Sequence, residues 1–245
     1  MARSQEELKN SAWAAARKAV DEKTLIVQWS GGRDSQAIAE VLAEMPEVIS
    51  GELKLLLVWV DTGDAPQETI DRFESWKDRA TCTRVQSNSK DYRKTLGDVV
   101  DVSVSYFNGA VPEVSSFQCC YMNISAPMQN ALTRMGVNQV IRGTRAADNV
   151  PWARRTEQGV HTIHNIIWDW TTEEVESVVK DMPTFYSFGA TSGVDCMSCT
   201  GWVRHNSIGY VRAKDAALAD EVIEKVRGST QKVLAALDEY PQDFK

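Results

Sequence analysis

The sequence predicts an α/β fold: a mostly parallel five-stranded sheet flanked by helices, with a cysteine-containing C-terminal segment. Three observations carry that prediction. Apolar runs of strand length alternate with stretches whose apolar residues recur at helical spacing. The run Leu53–Val60 is nearly continuous, broken by a single Lys, as in a strand buried on both faces. The segments that follow three of these strands, Ser30–Ser35, Asp61–Gly63 and Arg142–Arg145, place glycine beside charged and hydroxyl residues. Parallel sheets bind their ligands at such carboxyl ends.

Taken in order, Gln5–Val20 is rich in Ala and Glu and reads as a helix. Leu25–Trp29 is a short strand that runs directly into Ser30-Gly31-Gly32-Arg33-Asp34-Ser35. Ile38, Val41, Leu42 and Met45 then recur at helix spacing, and Ser30 or Asp34 can cap that helix. The strand Leu53–Val60 ends in Asp61-Thr62-Gly63, and Pro66–Arg79 is again helical. Thr81–Gln86 is a third strand, and Asn138–Arg142 another after the helix Ile124–Met135. The C-terminal third is less regular. A short helix, Thr172–Lys180, follows Trp168-Asp169-Trp170, and Met182–Arg204 is turn-rich. Lys214–Tyr240 reads as one or two helices with Leu218, Val222, Val226, Val233 and Leu237 apolar.

Composition narrows the function classes. The 245 residues carry 27 Lys plus Arg against 34 Asp plus Glu, a net charge of -7, which excludes a dominant basic surface and gives no support to tight nonspecific nucleic-acid binding. The longest apolar run, Leu55–Val60, is far too short to span a bilayer, and the N-terminal stretch has no apolar signal segment, so the expectation is a cytoplasmic chain without a membrane. Five cysteines are too sparse for a disulfide scaffold. Cys119-Cys120 and the pair Cys196 and Cys199 offer four thiols in two local groups, compatible with a four-thiolate metal site, with Cys82 as bystander. A structural zinc and unligated buried thiols remain alternatives. His161 and His164 do not suit one metal on a strand, because alternation sends them to opposite faces. Trp59 and Trp168 lie near the strand ends, with core packing their simplest role.

The loop Ser30–Ser35 carries the sharpest signal. Adjacent glycines let the backbone turn tightly and approach an anion, while the free amides of the following helix point at it. Ser30 and Ser35 add hydroxyls. The hexapeptide resembles the pyrophosphate loop of the ATP pyrophosphatases, and the chain as a whole resembles the phosphoadenosine phosphosulfate reductase family of the adenine nucleotide alpha-hydrolase-like superfamily. The closer resemblance rests on Val60-Asp61-Thr62-Gly63 with Glu68-Thr69, on Arg142-Gly143-Thr144-Arg145, on Trp168-Asp169-Trp170-Thr171 with Val175, and on Tyr186-Ser187-Phe188-Gly189 before the second cysteine pair.

That resemblance implies a nucleotide site of Ser30, Gly31, Gly32, Arg33, Asp34, Ser35, Asp61, Gly143 and Arg145, with Asp34 and Arg145 in catalytic roles; from charge alone, Arg154 and Arg155 either complete the cationic side or are ordinary surface arginines. It implies ATP and Mg2+ at the loop. It also implies a [4Fe-4S] cluster on Cys119, Cys120, Cys196 and Cys199, as in the iron-sulfur members. Residues 1–210 then form the nucleotide-binding domain with the cysteine segment, and 211–245 a helical extension whose stretch Ala216–Leu237 can contribute to a homodimer.

The implied activity is cleavage of ATP to AMP and pyrophosphate to adenylate a substrate for sulfur transfer. The alternatives are reduction of an adenylyl sulfate with release of sulfite, or a non-catalytic nucleotide- and cluster-binding module of a nucleic-acid modification system. A sulfonucleotide reductase carries a catalytic cysteine in a Glu-Cys-Gly-Leu-His stretch near its C-terminus, and here no cysteine follows Cys199. Both that departure and the intact loop favour ATP chemistry. A sulfur or electron donor protein is the implied partner.

Overall fold

The computed structural model describes residues 3–96, 99–100, 114–148, 157–158, 161–203 and 206–238. Helix α1 (Gln5–Ala16) precedes a hairpin of β1 (Val20–Asp21) and β2 (Thr24–Gln28), followed by α2 (Arg33–Ala43) and α3 (Pro46–Ile49). Next come β3 (Lys54–Asp61), α4 (Gln67–Ser75), β4 (Thr81–Gln86) and α5 (Ser89–Leu96). Two short strands, β5 (Val99–Val100) and β6 (Val114–Ser115), lead into α6 (Ser116–Cys120), a π-helical turn Tyr121–Ser125 and α7 (Ala126–Arg134). The remainder is β7 (Gln139–Arg142), β8 (Glu157–Gln158), β9 (His161–His164), α8 (Thr172–Val178), α9 (Ile208–Lys214) and α10 (Ala216–Asp238).

These elements divide into two compact units. The first comprises residues 1–61, 67–86 and 126–183. Its sheet has the order β4-β3-β2-β7-β9-β8, with β1 paired to β2. The five strands β4, β3, β2, β7 and β9 are mutually parallel, in registers such as Val27 with Leu57 and Val27 with Ile141. Only the short outer pairings of β1 and β8 are antiparallel among the described residues. The mostly parallel, helix-flanked sheet is the fold that the apolar runs predict. Leu25, Val27, Leu57, Val58 and Ile141 are fully buried in it.

Chain order explains where a ligand can enter. From β2 the chain steps outward to β3 and β4, then returns across β2 to β7 and β9. The connections after β2 and β7 therefore diverge, which opens a crevice at their carboxyl ends. Strand β9 escapes the periodicity reading because its ends are histidines. His161 is buried and has both ring nitrogens within hydrogen-bond distance, Nδ1 of Val137 O at 2.7 Å and Nε2 of Thr133 Oγ1 at 3.1 Å. His164 Nε2 meets Gln139 Oε1 at 2.7 Å. Trp29, Trp59 and Phe73 pack with ring centroids 5.0 to 6.0 Å apart, so Trp59 is a core residue.

The second unit comprises residues 62–66, 87–125 and 184–245. Its apolar centre gathers Phe185, Ala190, Val194, Tyr210, Val211 and Ala219, which joins the turn-rich segment to α9 and α10. Among the described residues, no helix is long and apolar enough to cross a membrane.

Candidate functional site

In the first unit, the loop after β2 is held open by its own side chains. Ser30 N donates to Ser35 Oγ at 3.1 Å, the two hydroxyls lie 3.1 Å apart, and Ser35 Oγ donates to Gly32 O at 3.0 Å. Gly32 is the N-cap of α2 and supplies no side-chain cap, so the amides of this eleven-residue helix face out of its first turn toward the crevice. Gly31 has φ +77°, and a Cβ there would sit 2.7 Å from Thr69 Cγ2. Only glycine suits that conformation and that space.

The loop after β7 meets this turn directly. A Cβ on Gly143 would lie 2.9 Å from Ser35 N and 3.0 Å from the Asp34 carbonyl carbon. Two residues on, the buried Arg145 brings Nε within 2.6 Å of Asp34 Oδ1. Its Nη1 donates to Thr172 Oγ1 at 3.2 Å, and its backbone N–H donates to Asp148 Oδ2 at 2.7 Å. Burial raises the Asp34 carboxyl above its ordinary range, against the opposing pull of Arg145. The structure thus brings Ser30, Gly31, Gly32, Asp34, Ser35, Gly143 and Arg145 together. Thr172 and Asp148, which fix Arg145, carry no motif and were not singled out by sequence.

Two residues of the expected set are engaged elsewhere in the same unit. Arg33 Nη1 donates to Glu176 Oε1 at 3.0 Å. Asp61 closes β3, buried, and accepts from Arg84 Nε at 2.9 Å, from Arg84 Nη2, and from Gln86 Nε2 at 3.1 Å. Arg154 and Arg155 lie outside the described residues. Cys82, on β4, has its Sγ near the carbonyls of Phe73 and Ala80, and burial pushes its thiol up.

In the second unit, Cys119, Cys120, Cys196 and Cys199 line one pocket together with Arg93 and Asn123. The Arg93 guanidinium lies against both Cys119 and Cys196. Cys196 Sγ lies 3.3 Å from Thr62 Oγ1 and 3.4 Å from Ser89 Oγ, while Asn123 Nδ2 donates to Cys119 Sγ at 3.7 Å. Burial pushes all four thiols up, Cys199 to about 12. The loop bearing Cys196 and Cys199 is pinned by Asp64. That carboxylate accepts from Arg93 Nη2 at 2.9 Å, Lys90 Nζ at 2.9 Å, Ser198 N at 2.9 Å and the Ser198 hydroxyl, and Met197 N donates to Asp64 O at 2.7 Å. Asp64, Arg93, Ser89 and Asn123 read in the sequence as ordinary polar residues.

This arrangement corrects the expected cofactors. Among the described residues, no group of three or more His, Cys, Asp or Glu is placed to hold a metal ion. The iron-sulfur and metal-binding expectation for Cys119, Cys120, Cys196 and Cys199 therefore fails. A cluster needs thiolates converging on one centre; here Cys196 Sγ is turned to the Thr62 and Ser89 hydroxyls and Cys119 Sγ to the Asn123 amide. The expectation of ATP with Mg2+ as resident cofactors is corrected with it: Asp34 faces Arg145, Asp61 faces Arg84, and among the described residues no acidic group is placed to hold the metal that would carry the nucleotide.

The family model for the phosphoadenosine phosphosulfate reductase domain matches residues 24–187, beginning at β2 and taking in segments of both units. No curated protein matches the chain at a significant level. Among solved structures, the chain is similar to phosphoadenylyl-sulfate reductase from Candida auris in its phosphate complex. The two share 16% identity and a TM-score of 0.54, over 80% of this chain and 97% of that one, which is a likeness of fold. The U34-tRNA thiolase NcsA from Methanococcus maripaludis, solved with its [4Fe-4S] cluster, aligns at 12% identity and a TM-score of 0.47 over 94% of this chain and 80% of that one, too weak to carry an argument.

Proposed function

Since the chain belongs to the phosphoadenosine phosphosulfate reductase domain family, we propose that its first unit binds an adenine nucleotide and transfers the adenylyl group to an acceptor, releasing pyrophosphate, in the service of sulfur transfer. One observation supports this most: the open N-terminus of α2, the backbone of Gly143 and the guanidinium of Arg145 meet at the crevice between β2 and β7. A glycine-rich turn at a helix N-terminus offers several N–H donors to phosphate oxygens at once.

In this reading an acceptor oxygen attacks the phosphorus next to the adenosine, and the bond to the bridging oxygen breaks. Negative charge grows on the departing pyrophosphate. The amides of residues 31–35 and the Arg145 guanidinium are donors fixed before the reaction, so they stabilise that charge without reorganising. Thr172 and Asp148 hold Arg145 in place, and Asp34 sets its orientation from the loop side.

The test is calorimetric titration of the full chain with ATP, AMP and adenylyl sulfate, followed by single-turnover product analysis. Binding that pyrophosphate competes away and that Ser35→Ala weakens supports the phosphate loop. AMP and pyrophosphate as products support adenylation. Sulfite from adenylyl sulfate would move the activity to sulfonucleotide reduction, and binding without turnover would leave a nucleotide-binding module.

A further inference from the structure

Resting on the nucleotide reading of the first unit, we propose that Arg3 is a positioning residue for the phosphate site: it grips residues 168–174, which in turn hold Arg145, and so fixes where the Arg145 guanidinium lies. Every residue involved belongs to the first unit.

The gripped segment has little of its own to keep it in place. Helix α8 has seven residues, too few to persist in water unaided, so its position is set by what it is bonded to. Arg3 supplies four of those bonds. Its Nη1 donates to Asp169 Oδ2 at 2.7 Å and its Nη2 to the Asp169 carbonyl at 3.1 Å. Nε and Nη2 also fork onto the two Glu174 oxygens, at 2.9 Å and 2.7 Å. One planar group thereby fixes both the approach to the helix and its first turn, and a forked contact fixes direction as well as distance. Glu174 is also the capping-box partner of Thr171, so the carboxylate that Arg3 holds is the one that starts α8. Gln5 adds a bond from its Nε2 to the Ser177 carbonyl, near the other end of the helix.

The same segment carries the contacts of the candidate site. Thr172 Oγ1 accepts from Arg145 Nη1 at 3.2 Å, and Ala146 N donates to the Trp168 carbonyl at 2.8 Å. Glu176, one turn further along α8, accepts from Arg33 Nη1 at 3.0 Å. The loop after β7 is therefore bonded to residues 168 and 172, on either side of Asp169, and the loop after β2 is bonded to residue 176. The bond from Arg145 to Thr172 is already at the long end of the N–H···O range, so a small displacement of the segment weakens it. Arg3 acts on the site through these residues.

Three readouts on the full chain test this. In the ligand-free protein, Arg3→Gln is expected to speed hydrogen exchange at residues 145–148 by about threefold or more, with residues 54–61 unchanged. In calorimetric titration well below the unfolding temperature, it is expected to weaken ATP and pyrophosphate alike, by about 3- to 10-fold, and to leave adenosine unchanged. Arg3→Lys should recover only part of the loss, because an ammonium cannot make the fork. In a Thr172→Val background, Arg3→Gln should weaken ATP little further, because the two residues act in one chain of contacts. Asp169→Ala, which removes one of the two partners of Arg3, should move exchange and affinity in the same direction and serves if Arg3→Gln does not fold. Unchanged exchange at 145–148, equal weakening of ATP and adenosine, full additivity with Thr172→Val, or a lowered melting temperature with parent-like affinity each overturns the proposal. If the parent chain binds no ATP, the nucleotide reading falls; faster exchange at 145–148 would then still support Arg3 as the group that holds Arg145, and unchanged exchange would overturn it.

Discussion

A Cβ on Gly143 would lie 2.9 Å from the amide nitrogen of Ser35. Residues 108 positions apart in sequence are thereby pressed together at the carboxyl ends of two neighbouring parallel strands. The obstructing atoms are backbone, which cannot rotate away, so Gly143→Ala must displace the loop or the end of β7. We expect a loss of about 1–3 kcal/mol in stability and at least a tenfold loss of nucleotide affinity. Thermal denaturation and calorimetric titration check the two effects separately. Unchanged affinity with lowered stability would show that the contact serves packing alone.

Arg145 is held by Asp34, Thr172 and Asp148 before any ligand arrives. On the proposed function, replacing it with Gln removes a charge-assisted bond to phosphate, worth about 1.5–3 kcal/mol, and the expected rise in the nucleotide dissociation constant is about 10- to 100-fold. Arg145→Lys should recover only part of it, because an ammonium cannot reproduce the fork that reaches both Thr172 and Asp34. The comparison of the two variants by titration with AMP and ATP separates geometry from charge.

Glu174 ties the N-terminus of the chain to helix α8. Its carboxylate accepts from Arg3 Nε at 2.9 Å and Arg3 Nη2 at 2.7 Å, and from Thr171 N at 2.9 Å, which holds it down at about 2. A carboxyl depressed in the folded state stabilises above its ordinary value of 4.5, and that stabilisation is lost as pH falls through about 2. Solvent around Arg3 screens the pair, so Glu174→Gln should cost about 1 kcal/mol at neutral pH. Urea midpoints of the two proteins should differ fully at pH 6 to 7, approach each other below about 4.5 and meet near about 2. A difference that does not vary with pH would assign the effect to the cap geometry instead.

Asp64 is nearly buried and answers the charge of Arg93. Asp64→Asn leaves a buried guanidinium without its counter-charge, for an expected loss of about 3–5 kcal/mol in the second unit. The same change loosens Ser198, so Cys196 and Cys199 should alkylate faster than in the parent while Cys82 keeps its rate. Denaturation and mass-spectrometric alkylation kinetics read the two consequences. Parent-like kinetics at the cysteine pair would remove Asp64 from the role of fixing that loop.

What the sequence determined by itself was local. The turn Ser30–Ser35 is a strand-to-helix junction whose glycines and hydroxyls act within six residues, so its conformation is written in adjacent side chains. The strands β2, β3, β4 and β7 are apolar enough, or bounded sharply enough, to read from pattern alone. Strand β9 was not, because His161 and His164 become acceptable in a sheet only through Val137, Thr133 and Gln139, which no local pattern records.

Tertiary structure decided the rest. Counting cysteines found four thiols in two pairs, but their chemistry depends on Thr62, Ser89, Arg93 and Asn123, contributed from separate stretches of chain. Those neighbours turn Cys196 toward the Thr62 and Ser89 hydroxyls and Cys119 toward the Asn123 amide, and among the described residues a spacing that suits metal ligation gives no metal-holding group. Asp64 and Arg93 show the same dependence in reverse. In the sequence they are two charges among many; in the fold, removal from water makes each the other's necessary partner.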